Sequence, residues 1–503
     1  HFYVLEEPHN IPASKHSPST RPLPVSLTQR SIRSLSWNIG ANIIILIVGL
    51  ARSIILARLL PVDVFGIYAF GSAIVSLSSV PAFFGLGWAF MFRAPETENE
   101  DLAAANYLSL QLIFTSAWLL LLLIYTLHFA EAPLHPVMIV LGLATAVTQV
   151  TQPPRLILAR RVVHKRLALL QISDVILGSL VAVTLALHHS SVWVLLSTDI
   201  VGMLLTLGAF YGWKPVWKPR LAWTSNVIHH FLSFGSQQAL SELLLRALDQ
   251  VDDLWTGAFL GKTAAGFYSR AYTLATYPRK ILAVPLNLVA GGAYAELKDD
   301  RLRRSQAFFR FNAILIRSGF LLGGWLSLIA PEFISLVLGN KWLPMLSTFR
   351  LMLVYTLLDP FKLTIADLLI AIGKPREVVR TRILQLLVML SGLFLLGSRW
   401  NIEGVALAVN IMLITGIVLF LWRTKHYVDF SLWRLFVPPT VALVTALGAG
   451  HLMGRALASM TSDWIIGAGK SVVFWLTYSG ILVALEHHFM LEMIPLLVKA
   501  LKE

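Results

Sequence analysis

No cysteine occurs in the 503 residues, which excludes disulfide bridges, thiolate nucleophiles and cysteine-ligated metal centres. Charge is scarce too: charged residues make up 14% of the chain, against roughly 25% in soluble globular proteins. Hydrophobic residues make up 56%, and the mean hydropathy is +0.70. A soluble globular chain is excluded, and an all-α polytopic membrane protein is predicted. Walker motifs, glycine-rich nucleotide loops, zinc-ligand spacings and nucleophile elbows are also missing. No cofactor, metal or ATP hydrolysis is therefore expected in this chain, nor an enzyme activity.

The apolar residues fall into fourteen runs long enough to cross a bilayer, about 20 residues each. They cover 35–59, 65–92, 106–127, 136–153, 168–187, 192–212, 231–260, 268–293, 311–330, 345–371, 381–397, 402–422, 435–454 and 464–485. The Pro-, Ser- and His-rich residues 1–30 read as a disordered tail. The segment after Glu486 reads as an amphipathic stretch lying in the membrane interface. Lys and Arg crowd the loops on the amino-terminal side, whereas the opposite loops carry only Lys262, Arg270, Lys341, Arg399 and Arg455. By the positive-inside rule both termini are expected in the cytoplasm. The net charge of +14 is thus a sign of topology, and no nucleic-acid partner is expected. The outward loops are all short, leaving no room for an extracytoplasmic catalytic domain.

An internal repeat sets the architecture. "ARLLPVDVFGIYAFG" from Ala57 aligns with "GAFLGKTAAGFYSRA" from Gly257, matching Leu60 with Leu260, Gly66 with Gly266 and Tyr68 with Tyr268. Each copy joins the first two helices of a six-helix set. An even number of helices per set predicts two parallel lobes, related by a pseudo-two-fold along the membrane normal, with a substrate site between them. The expected units are a tail at 1–30, lobes at 31–225 and 226–425, and a closing segment at 426–503.

Charges inside the spans locate candidate sites. In the first helix Asn38, Asn42, Gly49 and Arg52 share one face, so Arg52 is expected to point into the interlobe cavity; the alternative is a buried ion pair tying helices together. Arg58, nearer the outer end, is expected to snorkel to the headgroups. The repeat partner of this helix carries Glu242, Arg246, Asp249, Asp252 and Asp253. Glu242, Arg246 and Asp249 or Asp253 can neutralise one another locally. Asp252 is the counterpart of Arg52, so an acid–base pair across the cavity would serve as a gate, an ion-coupling site or a plain bridge. In the next helix lie Arg270, Arg279 and Lys280. The last two point about 100° apart, so one of them is expected to face the cavity, and Arg279 is preferred because guanidinium suits bidentate phosphate contact. Asp199, Arg317, Asp359, Lys362 and Asp367 are secondary candidates, Asp359 and Lys362 as an i,i+3 pair.

The stretches "LARLLPVDVFGIYAFG", "PPRLILARRVVHKRLALLQI", "DDLWTGAFLGKTAAGFYSRAY" and "PEFISLVLGNKWLPMLSTFRLML…IAIGKPR" resemble the Wzx-type lipid-linked oligosaccharide flippases of the polysaccharide transporter family. That family sits in the superfamily of multidrug extruders and lipid II flippases. "GLARSIILAR" also resembles the first helix of lipid II flippases, where an arginine at the position of Arg52 lines a cationic cavity. The resemblance spans about residues 31 to 425. It implies two six-helix lobes, alternating access and a bacterial inner-membrane location. The implied substrate is an undecaprenyl-diphosphate oligosaccharide, with membrane lipid, a polysaccharide polymerase and export machinery as partners. It leaves open a multidrug cation antiporter, which the acidic residues of the seventh helix would suit, a lipid II flippase, and a membrane polysaccharide polymerase or ligase.

Overall fold

The computed structural model describes residues 27–92, 99–161, 164–458 and 462–487. Most of the tail at 1–30 and most of the segment after Glu486 lie outside the described residues. All regular structure among the described residues is helical. The first set comprises α1 (Leu27–Leu59), α2 (Val62–Ser78, continuing as Val80–Phe83 and Leu86–Phe92), α3 (Glu100–His128), α4 (His135–Val150), α5 (His164–Ala186) and α6 (Trp193–Leu207, running on to Gly212). The second comprises α7 (Ser225–Trp255, running on to Leu260), α8 (Lys262–Ala275 and Tyr277–Glu296), α9 (Arg301–Leu328), α10 (Leu346–Ala371), α11 (Pro375–Gly392, running on to Gly397) and α12 (Ser398–Thr424). α13 (Leu432–Leu457) and α14 (Asp463–Leu485) close the chain.

Each of the fourteen predicted runs falls on one of these elements. Among the described residues, nine helices are long and apolar enough to cross a membrane, or ten with the bent pair at α2. One of the nine, Pro375–Thr424, holds two predicted spans and breaks at Trp400 and Asn401. The spans that miss the criterion are α7, α8 and α10, the three that gather most of the intramembrane charges. Charge in these helices is tolerable only where it faces protein or a polar cavity, so their composition already places them at the bundle interior.

Two helices differ from simple spans. α2 bends by 44° beyond Ser79, and Phe84 and Gly85 take left-handed φ values of 40° and 64°. The bend brings α2 against α7: a Cβ on Gly85 would lie 2.6 Å from the carbonyl oxygen of Gly235. α8 breaks at Thr276, where Pro278 near the start of the second segment supplies no backbone N–H.

The two repeats cross at the face opposite the amino terminus, the face that the positive-inside rule predicts to be outer. α2 starts at Val62 and α8 at Lys262, and the Thr263 hydroxyl donates to Asp63 Oδ1 at 2.6 Å. Gly66 and Gly266 sit at the same crossing, and a Cβ on Gly66 would lie 2.8 Å from the backbone nitrogen of Gly266. Residues 200 positions apart therefore meet at the pseudo-two-fold axis.

The closing pair is fastened to the second lobe. Arg317 on α9 forms an ion pair with Glu486 just past α14, and the Tyr478 hydroxyl donates to the Arg317 carbonyl at 2.8 Å. Toward the outer end Lys470 pairs with Glu332 at 2.5 Å, and Trp325 Nε1 donates to Ser471 Oγ at 2.8 Å. Breaking a buried pair from one side costs about 3–5 kcal/mol, because a charge is left behind without its partner. Glu486→Ala is accordingly expected to lower the thermal midpoint of the detergent-solubilised protein clearly. An unchanged midpoint would contradict this anchoring.

Candidate functional site: a cationic cavity between the lobes

A cavity of 490 Å³ lies between the lobes, walled by α1, α2, α5 and α6 on one side and α8 on the other. Asn42, Gly49 and Arg52 all line it, so the polar stripe of α1 does face the lobe interface. The side chain of Asn38 is outside the described set. Arg270 and Lys280 enter from α8, and the lining holds no aspartate or glutamate. Three cations thus share one cavity without a carboxylate in its wall.

Their surroundings differ. Arg270 is held: its Nη1 donates to Ser53 Oγ at 2.8 Å, and its guanidinium lies 4.1 Å from the centroid of Phe65, a cation–π contact. Arg52 makes no hydrogen bond or salt bridge with protein among the described residues, although its charge reaches Asp174 on α5 and Asp199 on α6. Lys280 lies 5.2 Å from the ring centroid of Tyr277 and likewise has no salt bridge among them. Ser53, Tyr277, Thr198 and Thr273 join Tyr68 in the polar lining. Sequence reasoning missed these four; the only hint is that Ser53 follows Arg52 and is small.

The preference for Arg279 over Lys280 is corrected. Arg279 is absent from the lining and instead binds Asp359 Oδ2 at 2.6 Å. Asp359, 1% exposed, also receives Lys362 at 2.7 Å. Asp249 lies in the field of this group, together with Arg382. The two neighbours do diverge as helical geometry requires, but α10 supplies a carboxylate on the Arg279 side, and opposite charge at short range decides the matter.

The acid–base pair between Arg52 and Asp252 is not formed. Asp252 is 4% exposed, away from the cavity lining, and accepts a hydrogen bond from Tyr268 at 2.5 Å. In the other repeat Tyr68 donates to Asp199 at 3.0 Å. The paired tyrosines each hold an aspartate, one on α7 and one on α6. Arg246 pairs with Glu242 at 2.8 Å, as expected, and also lies 4.2 Å from the ring of Phe83 beyond the α2 bend. Asp253 does not line the cavity, and its Oδ1 is buried without a hydrogen-bond partner.

The outer end of the cavity is closed by a clasp between the lobes. Lys341 Nζ donates to the carbonyls of Arg58 at 2.9 Å and Leu60 at 2.7 Å. Trp342 Nε1 donates to Ala57 O at 2.9 Å. Arg58 returns the contact, donating to Val337 O at 2.7 Å and to Leu336 O. The expectation that Arg58 snorkels to headgroups is thereby corrected: the last carbonyls of a helix lack intrahelical partners, and α1 finds them in the other lobe. Trp342 also meets Phe65 edge-on, with 5.5 Å between ring centroids. The double change Lys341→Ala with Trp342→Phe removes three of these hydrogen bonds. It is expected to raise labelling of Ser53→Cys by a membrane-impermeant maleimide from the outer side several-fold, with no native cysteine as background. Unchanged labelling would contradict the clasp.

The comparisons agree with this architecture. The profile of a family described as "Polysaccharide biosynthesis protein" matches residues 55–347. The lipopolysaccharide biosynthesis protein WzxC of Escherichia coli is 23% identical over 86% of this chain and 90% of its own length. The succinoglycan biosynthesis transport protein ExoT of Rhizobium meliloti is 26% identical over 37% of each chain. Among solved structures, the lipid II flippase MurJ in an inward closed conformation superposes with a TM-score of 0.74. It is 13% identical, and the match covers 92% of this chain and all of that one; at such identity the likeness establishes the fold. With its profile match, its repeat and its two-lobed helical fold, this chain belongs to the polysaccharide biosynthesis protein family.

Proposed function

We propose that this protein is a flippase that moves undecaprenyl-diphosphate-linked oligosaccharide units across the bacterial inner membrane for surface or exopolysaccharide biosynthesis. The observation that carries the reading is the interlobe cavity with Arg52, Arg270 and Lys280 in its wall and no carboxylate. A diphosphate bearing sugars cannot cross hydrocarbon unaided, and its charge calls for cations at membrane depth. In this reading Arg52, Asn42, Arg270 and Lys280 hold the headgroup while the lipid tail stays in the bilayer. Arg58, Lys341 and Trp342 form the outer gate. Arg246, Arg279, Asp249, Asp252, Asp253 and Asp359 stabilise or couple the moving second lobe. Alternating access then exposes the cavity to either side.

The relatives named above belong to polysaccharide biosynthesis, which supports the substrate class. The loop charges support cytoplasmic termini. Lobes at 31–225 and 226–425, with 426–503 as a closing unit, fit the long non-helical connection between α6 and α7 and the anchoring of α13 and α14 to α9. Membrane lipid, a polysaccharide polymerase and export machinery are the partners this role calls for, and the role needs no catalytic residue. The lipid II reading shares the same cationic cavity; a cation antiporter would place carboxylates in the cavity wall.

Deleting the gene in its host is the test. Surface polymer is expected to disappear and lipid-linked oligosaccharide to accumulate on the cytoplasmic leaflet, with both restored by a plasmid copy. Rescue of cells depleted of their lipid II flippase, with polymer unaffected, would favour the lipid II reading instead.

A further inference from the structure

A second cavity, of 350 Å³, lies within the first lobe between α4, α5, α6 and the short helix Gln152–Arg160 that joins α4 to α5, and the proposed function does not use it. Its volume falls in the range of small-molecule sites, roughly 300–1,000 Å³. Arg155, Gln171, Asp174, Asp199, Thr148 and Thr206 contribute donors and acceptors, and leucines with Met203 supply apolar walls. It adjoins the cationic cavity: Thr198 lines both, and Tyr68 lines the cationic one while donating to Asp199.

Of its polar side chains, Arg155 and Gln171 are exposed and Asp174 is half-buried. Among the described residues, Arg155, Gln171 and Asp174 make no hydrogen bond or salt bridge through their side chains. Asp174 lies in the middle of α5, within the field of Arg52 but without a hydrogen bond to it, so its carboxylate oxygens can accept from a ligand. Gly202 on α6 leaves room for it, since a Cβ there would sit 2.8 Å from Asp174 Oδ1. A bare metal ion fits poorly: the described residues hold no group of three or more metal-ligating side chains, and the wall includes a guanidinium. The mixture of carboxylates, an amide, hydroxyls and apolar patches suits a neutral polyol, with hydroxyls to donate to Asp174 and Asp199 and C–H faces for the leucines.

We infer that this cavity seats the sugar attached directly to the diphosphate, so that Gln171 and Asp174 determine which glycan is accepted. The inference rests on the flippase reading, because the covalent link between sugar and diphosphate is what requires two adjoining cavities of opposite character.

The test uses the full chain in nanodiscs and four lipids: undecaprenyl diphosphate, and the same lipid bearing glucose, galactose or N-acetylglucosamine. At least one sugar-bearing lipid is expected to bind about ten-fold more tightly than the bare diphosphate, the effect of one or two hydrogen bonds to a charged group. Asp174→Asn with Gln171→Ala should erase that gain and leave the bare lipid unchanged. Gln171→Ala alone, at an exposed position, should reduce the gain if the double variant folds poorly. The inference is overturned if no sugar improves binding or if the variants keep the gain. It is equally overturned if Asp174→Asn abolishes only a sodium dependence of bare-lipid binding. Failure of all four lipids to bind the wild type would instead contradict the flippase reading, and this inference with it.

Discussion

Arg52→Ala is expected to abolish surface polymer while the protein reaches the membrane at its normal level. Arg52→Lys should restore part of the output. The reasoning is electrostatic. Arg52 lines a cavity without a carboxylate in its wall and spends no hydrogen bond on the protein among the described residues, so its guanidinium is available to a ligand. Removing one partner of a desolvated, hydrogen-bonded charge pair costs about 2–5 kcal/mol, which is roughly 30- to 5,000-fold in affinity. Lysine keeps the charge but loses the planar fork that grips two phosphate oxygens. Arg270 offers the internal comparison. Its guanidinium is already committed to Ser53 and Phe65, so Arg270→Lys should disturb packing as well as binding, lowering both abundance and output. Normal export by Arg52→Ala at normal abundance would remove Arg52 from the substrate site.

Gly66→Ala is expected to be nearly as damaging, for a steric reason. A Cβ at that position would lie 2.7 Å from the carbonyl carbon of Lys262 and 2.8 Å from the nitrogen of Gly266, with the Lys262 oxygen nearer still. These are backbone atoms and cannot rotate away. Overpacking of this kind costs about 1–3 kcal/mol or more, and only the outer-closed arrangement bears the cost, since the clash is between lobes. At 3 kcal/mol the closed population falls roughly 100-fold. Turnover should fall with it, and labelling of Ser53→Cys from outside should rise. Gly266→Ala, facing the carbonyl of Val62, should act alike. Gly448→Ala, with nothing within 4 Å, is the neutral control. Wild-type transport by both Gly66→Ala and Gly266→Ala would show that this crossing never needs to close so tightly.

Much of the site is legible in the sequence because bilayer physics makes polar residues conspicuous. Asn42, Gly49 and Arg52 on one face of an apolar helix are enough to place α1 at the cavity, and the offset of Gly66 and Gly266 correctly implies the axis. The misreadings have a common origin in tertiary partners that are distant in sequence. Arg279 is claimed by Asp359 and Asp252 by Tyr268. The carbonyls at the end of α1 are claimed by Lys341 and Trp342. None of these pairings leaves a periodic trace. The bend of α2 is similar: Gly85 hints at it, but the need for it comes from the approach of Gly235 on α7. The cavity inside the first lobe is hidden because its polar residues are spread over four helices, at most three on each.

The measurement that tests the central claim most directly uses proteoliposomes holding the purified full chain. Undecaprenyl-diphosphate-linked oligosaccharide from the host would be placed in both leaflets, and the fraction accessible to an external glycosidase followed with time. The account predicts that the protected fraction is drawn out by the wild-type protein and stays protected with Arg52→Ala. It also predicts that a fluorescent organic cation is not transported under an imposed ion gradient. Uptake of the cation with the oligosaccharide left in its original leaflet would contradict the account and identify the cavity as the site of a different transporter.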